Sequence, residues 1–384
     1  MNGIMWRLIT TLVLTFALTF CPPGVAVIGE NAVVPAADSE AAPSAQAVVQ
    51  KAAVSAADRY TFVQDGEISK QVHLPTCEWY PKKLPPDAMV LAIHGLTLHG
   101  KRYDILGRTF AAENALGSIY VVAPDMRGFG RNRNKEHTFC QDNDCKKIVN
   151  YDKSVDDFCK VAKIMREKYP GVPLYLLGES LGSSVCLAVA AKSPELVDGL
   201  VLSGTAESVN PKMFDHPKII ASGMFAVFID PKFNMRLGVF MRDLVSNDPA
   251  ICQEMLDDPL VPKKLTLAEL MKTNKFVGKT NKFAEKVKED LPVLMLQGSE
   301  DKCVVPRAVA NLAQHIRSSD QTMKWLHAHG HLLLETAYIR PATIDAITDW
   351  FDARTVAHKE QLRAMQEDLR ALGGKTSSLD SVQQ

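Results

Sequence analysis

The sequence predicts an α/β protein: a mostly parallel central sheet flanked by helices, with a helical cap inserted before the strand carrying an acid. Three observations predict it. Short apolar runs rich in β-branched residues alternate with stretches of helical spacing, as expected of buried strands joined by crossover helices. One run, Val172 to Leu177, leads into Gly178-Glu179-Ser180-Leu181-Gly182 and then directly into a helix-compatible stretch. The rhythm then breaks for nearly ninety residues between Ser203 and Leu291, an insertion long enough to cover the carboxyl end of the sheet.

In chain order, Met1 to Arg7 carries one positive side chain, and Leu8 to Phe20 is an uncharged run of thirteen residues broken by Cys21-Pro22-Pro23-Gly24. A spanning helix needs about 20 residues, so residues 1–26 read as a secretory signal, with a retained membrane anchor as the alternative. Gly24-Val25-Ala26 has the small-x-small form of a cleavage site, whereas Phe20 is bulky for lipid attachment at Cys21. Export to a periplasmic, secreted or membrane-anchored location is the expectation. Residues 27–57 are rich in Ala, Val, Pro and Ser without aromatics and form a flexible linker. The folded domain is expected over 58–354, followed by a C-terminal helix (Thr355 to Leu372) and a polar tail over 355–384.

Within that domain the strand-like runs are Met89 to Ile93, Ser118 to Val122, Leu174 to Leu177, Gly199 to Leu202, Val293 to Leu296 and Met323 to Leu326. Helical spacing covers Arg102 to Asn114, Lys153 to Lys168, Leu181 to Lys192 and Val304 to Ile316. Tyr60 to Val63 and Lys70 to Leu74 read as an antiparallel hairpin at one edge. The cap, about residues 206–290, is studded with Met and Phe, a composition suited to a helical core and to an adaptable apolar pocket.

The 44 Lys and Arg balance the 44 Asp and Glu, which argues against nucleic acid or an anionic membrane as the partner. Eight scattered cysteines do not make a disulfide scaffold; Cys140 and Cys145 are close enough to staple a surface loop if the chain is exported, and Cys186 reads as a small core residue. The partner expected is a small-molecule or lipid ester, with membrane proximity through the N-terminal segment.

The strand–turn–helix context makes Ser180 a candidate nucleophile on a tight elbow. A serine needs a base, an acid and an oxyanion site to act. Asp301, just past the strand Val293 to Leu296, is the candidate acid; Glu300 beside it would point elsewhere, and Asp290 precedes the strand. His327-Ala328-His329-Gly330-His331 offers three bases, of which His331 suits an exposed loop position after Gly330. A metal site on these alternating histidines lacks a complementary ligand cluster elsewhere in the sequence, so no metal and no cofactor is expected. The order Ser180, Asp301, His331 is that of an α/β-hydrolase triad. The backbone N–H groups of Leu96, after the strand Met89 to Ile93, and Leu181 are placed to form the oxyanion hole.

These residues make the chain resemble α/β-hydrolases of the monoacylglycerol lipase and lysophospholipase group, which overlaps the serine aminopeptidase-like hydrolases. The matching pieces are His94-Gly95 with His99 and Arg102-Tyr103, Asp125 to Gly130, Gly178 to Gly182, Ser246 to Pro249, Gln297 to Asp301, and Gly330-His331. The chain departs from its relatives at Glu179, where many carry His, and at Leu98, where a polar residue is usual. The resemblance implies a serine esterase acting on lysophospholipid or monoacylglycerol-like lipids through an acyl-serine intermediate. Amide or peptide hydrolysis, or acyl transfer, would use the same residues. A tethered lipid-binding protein with a silent hydrolase fold is the non-enzymatic alternative.

Overall fold

In the computed structural model, residues 59–112, 118–133, 148–207, 232–304 and 306–380 are described. The expectations for residues 1–57, for the Cys140–Cys145 pair and for the first part of the cap lie outside these residues.

The strands, in chain order, are β1 (Tyr60–Gln64), β2 (Thr76–Pro81), β3 (Ala88–Ile93), β4 (Ile119–Pro124), β5 (Leu174–Glu179), β6 (Gly199–Ser203), β7 (Asn234–Arg236), β8 (Lys264–Thr266), β9 (Val293–Gly298) and β10 (Gln321–Leu326). Eight of them form one sheet in the order β1-β2-β4-β3-β5-β6-β9-β10. All pairings from β4 to β10 are parallel, and only β1–β2 and β2–β4 are antiparallel. The strands β3, β4, β5, β6 and β9 are buried along their whole length, because helices cover both faces.

The helices are α1 (Glu67–Val72), α2 (Asp104–Ala111), α3 (Gly130–Arg133), α4 (Tyr151–Lys168), α5 (Leu181–Lys192), α6 (Pro249–Asp257), α7 (Leu267–Val277), α8 (Thr280–Ala284), α9 (Pro306–His315) and α10 (Pro341–Asp380). Their sequences explain their ends. Asn150 caps α4 by accepting the N–H of Lys153, and Thr266 with Glu269 forms a reciprocal capping box on α7. The helix α5 is apolar all round, so it can only be interior, and every residue from Leu181 to Ala190 is buried. On the opposite face of the sheet, Trp350 and Phe351 of α10 pack on Tyr175, the Phe351 ring stacking on it at 4.7 Å.

The edge differs from expectation. Lys70 to Leu74 is not a strand: Lys70 lies within α1, which ends on His73 in the left-handed region (φ 54°), and the partner of β1 is β2. Ile68 and Val72 are four apart and both buried, a helical spacing too short to stand out in a six-residue element. The C-terminal helix is also longer than Thr355 to Leu372, running continuously from Pro341 to Asp380. The described part of the cap combines α6, α7 and α8 with the small antiparallel pair β7–β8 and a five-residue π-helical turn at Phe240–Leu244. Among the described residues no helix is long and apolar enough to cross a membrane.

Buried ion pairs fix the loop after β4. Arg127 grips Asp157 of α4 with two hydrogen bonds, Nε to Oδ2 at 2.6 Å and Nη2 to Oδ1 at 3.0 Å. Asp125 accepts the N–H of Gly100 and of Arg131, both at 2.8 Å, tying this loop to the one that follows β3. The Asp125-to-Gly130 motif is thus a brace for the β3 loop.

Candidate active site

Ser180 follows β5 directly and has φ 55° and ψ −117°, a strained conformation for a non-glycine residue. The tight turn brings the start of α5 against β3. A Cβ on Gly182 would sit 1.9 Å from the carbonyl oxygen of Ile93, so only glycine allows this approach. The sequence pattern and the elbow therefore have one cause.

The loops after β9 and β10 meet beside it. His331 Nδ1 lies 2.8 Å from Asp301 Oδ2, with both side chains buried. The other oxygen of Asp301 accepts the N–H groups of Cys303 and Val304, and Gln297 Nε2 donates to Oδ2 at 3.0 Å. Burial would raise this carboxyl, but His331 and these donors outweigh it and hold it below the usual carboxylate range. Burial likewise disfavours charged His331, yet Asp301, and then Glu179, push its pKa above the ordinary 6.5. The backbone fixes the ring's place as well: His331 and Leu332 both donate their N–H to the carbonyl of Val245, at 3.1 and 3.0 Å.

The remaining candidates separate cleanly. Glu300 points away and accepts a hydrogen bond from Asn247, and Asp290 is exposed before β9. The strand β10 ends at Leu326, so His327, His329 and His331 do not share a strand face. His327 is exposed, and His329 Nδ1 bonds the His327 carbonyl at 2.7 Å. Asp301, Cys303 and His331 bring ligand-type atoms within 4.8 Å of one another, but a cation there would displace the hydrogen bond that orients the His331 ring. Cys186 is buried in the core, where burial pushes its thiol far up.

The amides of Leu96 and Leu181 donate to no protein acceptor among the described residues. Leu96 lies on the loop after β3, and Leu181 opens α5, where the helix dipole favours negative charge. His94 supports the loop from within: its Nδ1 bonds the Gly95 carbonyl at 2.8 Å, and Met126 N–H donates to Nε2 at 2.8 Å. Burial lowers its pKa to about 4, so it is a neutral strut. Ser180 and His331 border a small pocket whose other walls include Leu96, Leu98, Phe240, Val245, Met255 and Leu332. An apolar wall beside a nucleophile suits an acyl chain. A larger, open groove along α6, lined by Arg102, Glu254, Asp257, Asp258 and Tyr338, has no nucleophile.

Two residues of the site escaped the sequence reading. Glu179, fully buried, accepts the N–H groups of Leu333, Leu334 and Glu335 together with the Ser203 hydroxyl. Glu335 Oε1 accepts the Gly95 N–H at 2.7 Å and the Tyr103 hydroxyl at 3.1 Å. The only sequence signal for Glu179 is its departure from the usual His; Glu335 has none beyond its nearness to His331.

Arranged this way, the groups can carry out acyl transfer. His331 beside Ser180 is placed to act as a base and Asp301 holds its ring, and the unbonded Leu96 and Leu181 amides are donors available to an oxyanion.

Residues 84–336 match the family model described as serine aminopeptidase, S33. The mouse monoglyceride lipase is 25% identical over 283 residues, covering 73% of this chain and 88% of that protein. The monoacylglycerol lipase of Mycolicibacterium smegmatis is 25% identical over 277 residues, covering 71% and 90%. Among solved structures, the monoacylglycerol lipase of Paleococcus ferrophilus superposes with a TM-score of 0.56 at 23% identity, covering 73% of this chain and 99% of that one. A soluble variant of the Saccharomyces cerevisiae monoglyceride lipase, bound to a substrate analogue, gives 0.58 at 18% identity, covering 78% and 94%. The fold is that of the α/β-hydrolases, and the chain belongs to the serine aminopeptidase S33 family.

Proposed function

We propose that the protein is a carboxylic ester hydrolase acting on monoacylglycerol-like lipids through an acyl-Ser180 intermediate. The observation that carries this reading is the placement of Ser180, on a strained elbow, beside the buried His331–Asp301 pair and an apolar pocket. His331 removes the Ser180 proton as Oγ attacks the ester carbonyl, and the Leu96 and Leu181 amides hold the oxyanion. The glycerol-like alcohol leaves with the proton from His331, and a water activated by the same ring releases the fatty acid.

The substrate class draws on the similarity to the mouse and M. smegmatis monoacylglycerol lipases and on the apolar wall formed by Leu98, Phe240 and Met255. An aminopeptidase must bind a free ammonium group with an available carboxylate. Of the described acidic groups at the cap base, Glu254 is engaged by Arg102 at 3.0 Å and Asp258 by His99 at 2.9 Å. The N-terminal apolar run, Leu8 to Phe20, supports export of the enzyme.

A turnover profile over acyl length, headgroup and an amide series tests the reading. Long-chain monoacylglycerols are expected to be hydrolysed fastest. Faster hydrolysis of lysophosphatidylcholine would move the substrate to lysophospholipids, and faster cleavage of aminoacyl amides would overturn the esterase assignment.

A further inference from the structure

The hydrogen bonds around His331 leave one strong group unused by the reaction as described. Glu179 immediately precedes the nucleophile and is fully buried. Its Oε1 accepts Leu333 N–H at 2.7 Å, Leu334 N–H at 3.1 Å and Ser203 Oγ–H at 2.9 Å. Its Oε2 accepts Leu334 N–H at 3.2 Å and Glu335 N–H at 3.1 Å. Three successive amides curled around one carboxylate make an anion-binding nest, here filled by the protein itself. Every group hydrogen-bonded to the two oxygens is a donor, an arrangement that favours the ionised form.

The second carboxyl in this region is arranged differently. Glu335 Oε1 accepts two hydrogen bonds, whereas its Oε2 is buried without a partner among the described residues. Two carboxylates that repel one another at full burial settle by giving a proton to one of them. Burial, and then the Glu179 charge, push the Glu335 carboxyl far above its ordinary value, so the proton belongs there. Burial raises the Glu179 carboxyl too, though the Leu333 amide, His331 and the Ser203 hydroxyl oppose it, and the ring of donors around it, unlike the half-bonded Glu335, favours the charge on Glu179.

We propose that Glu179 is a second anionic positioning residue for His331: it fixes the loop that carries the ring and adds its charge to that of Asp301 when the imidazolium forms. Its carboxylate is hydrogen-bonded to Ser203 and to the Leu333, Leu334 and Glu335 amides rather than to the ring nitrogens, so it acts through the loop of His331. The groups facing His331 are Asp301 at Nδ1, the Cys303 thiol after β9, and Glu179 from β5. Those facing Glu179 are His331, Ser203 from β6, Glu335, and Tyr103 from the β3 loop. Asp301 and Glu179 are the two that supply negative charge to the ring, and they approach it from different strands. The inference rests on the proposed role of Ser180 and His331, but not on the identity of the ester.

The test is the pH dependence of Ser180 phosphonylation by a fluorophosphonate probe, which needs no knowledge of the substrate. In Glu179→Gln, loss of one anion near the ring is expected to lower the acid-limb midpoint by about half a unit or more. The plateau rate is expected to fall about tenfold. Ser203→Ala, which removes one donor and keeps the carboxylate, should slow the plateau by a smaller factor and leave the midpoint within the scatter. A slower Glu179→Gln plateau with an unmoved midpoint would reduce Glu179 to a structural brace and overturn the proposal. If Glu179→Gln fails to fold, Glu179→Asp keeps the charge and must keep the midpoint; a midpoint lowered in Glu179→Asp by about half a unit or more overturns it. Absence of probe labelling in the wild-type protein would instead refute the hydrolase reading itself.

Discussion

His99 Nε2 lies 2.9 Å from Asp258 Oδ2, joining the loop after β3 to the end of the cap helix α6. Arg102, three residues on, meets the same helix through Glu254 at 3.0 Å. The loop that presents the Leu96 amide is therefore anchored to the cap as well as to the sheet. This couples the Leu96 amide, the proposed oxyanion donor, to the element that walls the pocket. Asp258→Ala is expected to cost about 1–2 kcal/mol, less than a fully buried pair because Asp258 is partly exposed and Arg102 keeps Glu254. The kcat/KM should fall several-fold beyond that expected from unfolding. Thermal melting and steady-state kinetics on the same preparation check both.

The three clustered histidines should behave unequally. His331→Ala is expected to lower kcat by about a thousandfold or more, because it removes the base held at 2.8 Å from Asp301. His327→Ala, at an exposed turn, should leave most of the activity, and so should His329→Ala. Ester turnover with melting curves for each variant distinguishes them.

The charge state of His331 sets a pH dependence. Asp301 and Glu179 raise its pKa above 6.5, and the ring must be neutral to accept the Ser180 proton. The acid limb of kcat/KM should therefore have its midpoint above pH 6.5. The linked stability has the opposite trend: a raised histidine stabilises the fold below its unfolded pKa, and that contribution disappears as pH rises through the folded value. For Asp301, whose pKa is depressed, the contribution is present above the unfolded 3.8 and lost as pH falls through the folded value. Asp301→Asn should lower kcat by about 10⁴ while leaving substrate binding close to wild type. A pH–rate profile and a pH series of melting temperatures test these signs.

Gly182→Ala would place a Cβ 1.9 Å from the Ile93 carbonyl oxygen, an overlap that no rotamer change relieves. The expected cost is about 3 kcal/mol, with displacement of the Leu181 amide and loss of probe labelling at Ser180. Chemical denaturation and probe labelling measure the two effects separately.

Asp157→Ala isolates the role of the loop after β4. It leaves the guanidinium of Arg127 in a buried site without its two-point partner, at an expected cost of about 3–5 kcal/mol. Because this pair braces the β3 loop only indirectly, the protein that remains folded should keep a near-normal KM. Urea unfolding followed by kinetics below the transition checks this.

The parts of the fold written in strong local patterns were readable from the sequence. The buried runs β3, β5, β6 and β9 and the helix α5 carry apolar periodicities long enough to fix both type and order. Ser180 and Asp301 were legible because each follows such a strand. At the sheet edge, β2 carries Cys77, Glu78 and Trp79 side by side, and its burial comes from β4, α2 and β1 rather than from its own alternation. That is why the local sequence pattern points to Lys70 to Leu74 rather than to β2 as the partner of β1. The roles of Glu179 and Glu335 were illegible for a related reason: Glu179 stood out only as a departure from the usual His, and the groups bonded to both carboxyls are backbone amides and hydroxyls from distant segments.

The most direct test of the account is rapid quenching of the wild-type enzyme with a long-chain monoacylglycerol, followed by intact-mass measurement and peptide mapping. The expected result is a transient mass increase of one acyl group on the peptide containing Ser180, no adduct in Ser180→Ala, and fatty acid release from His331→Ala slowed by about a thousandfold or more. Fatty acid release that persists in Ser180→Ala, or an acyl group carried on another residue, would contradict it.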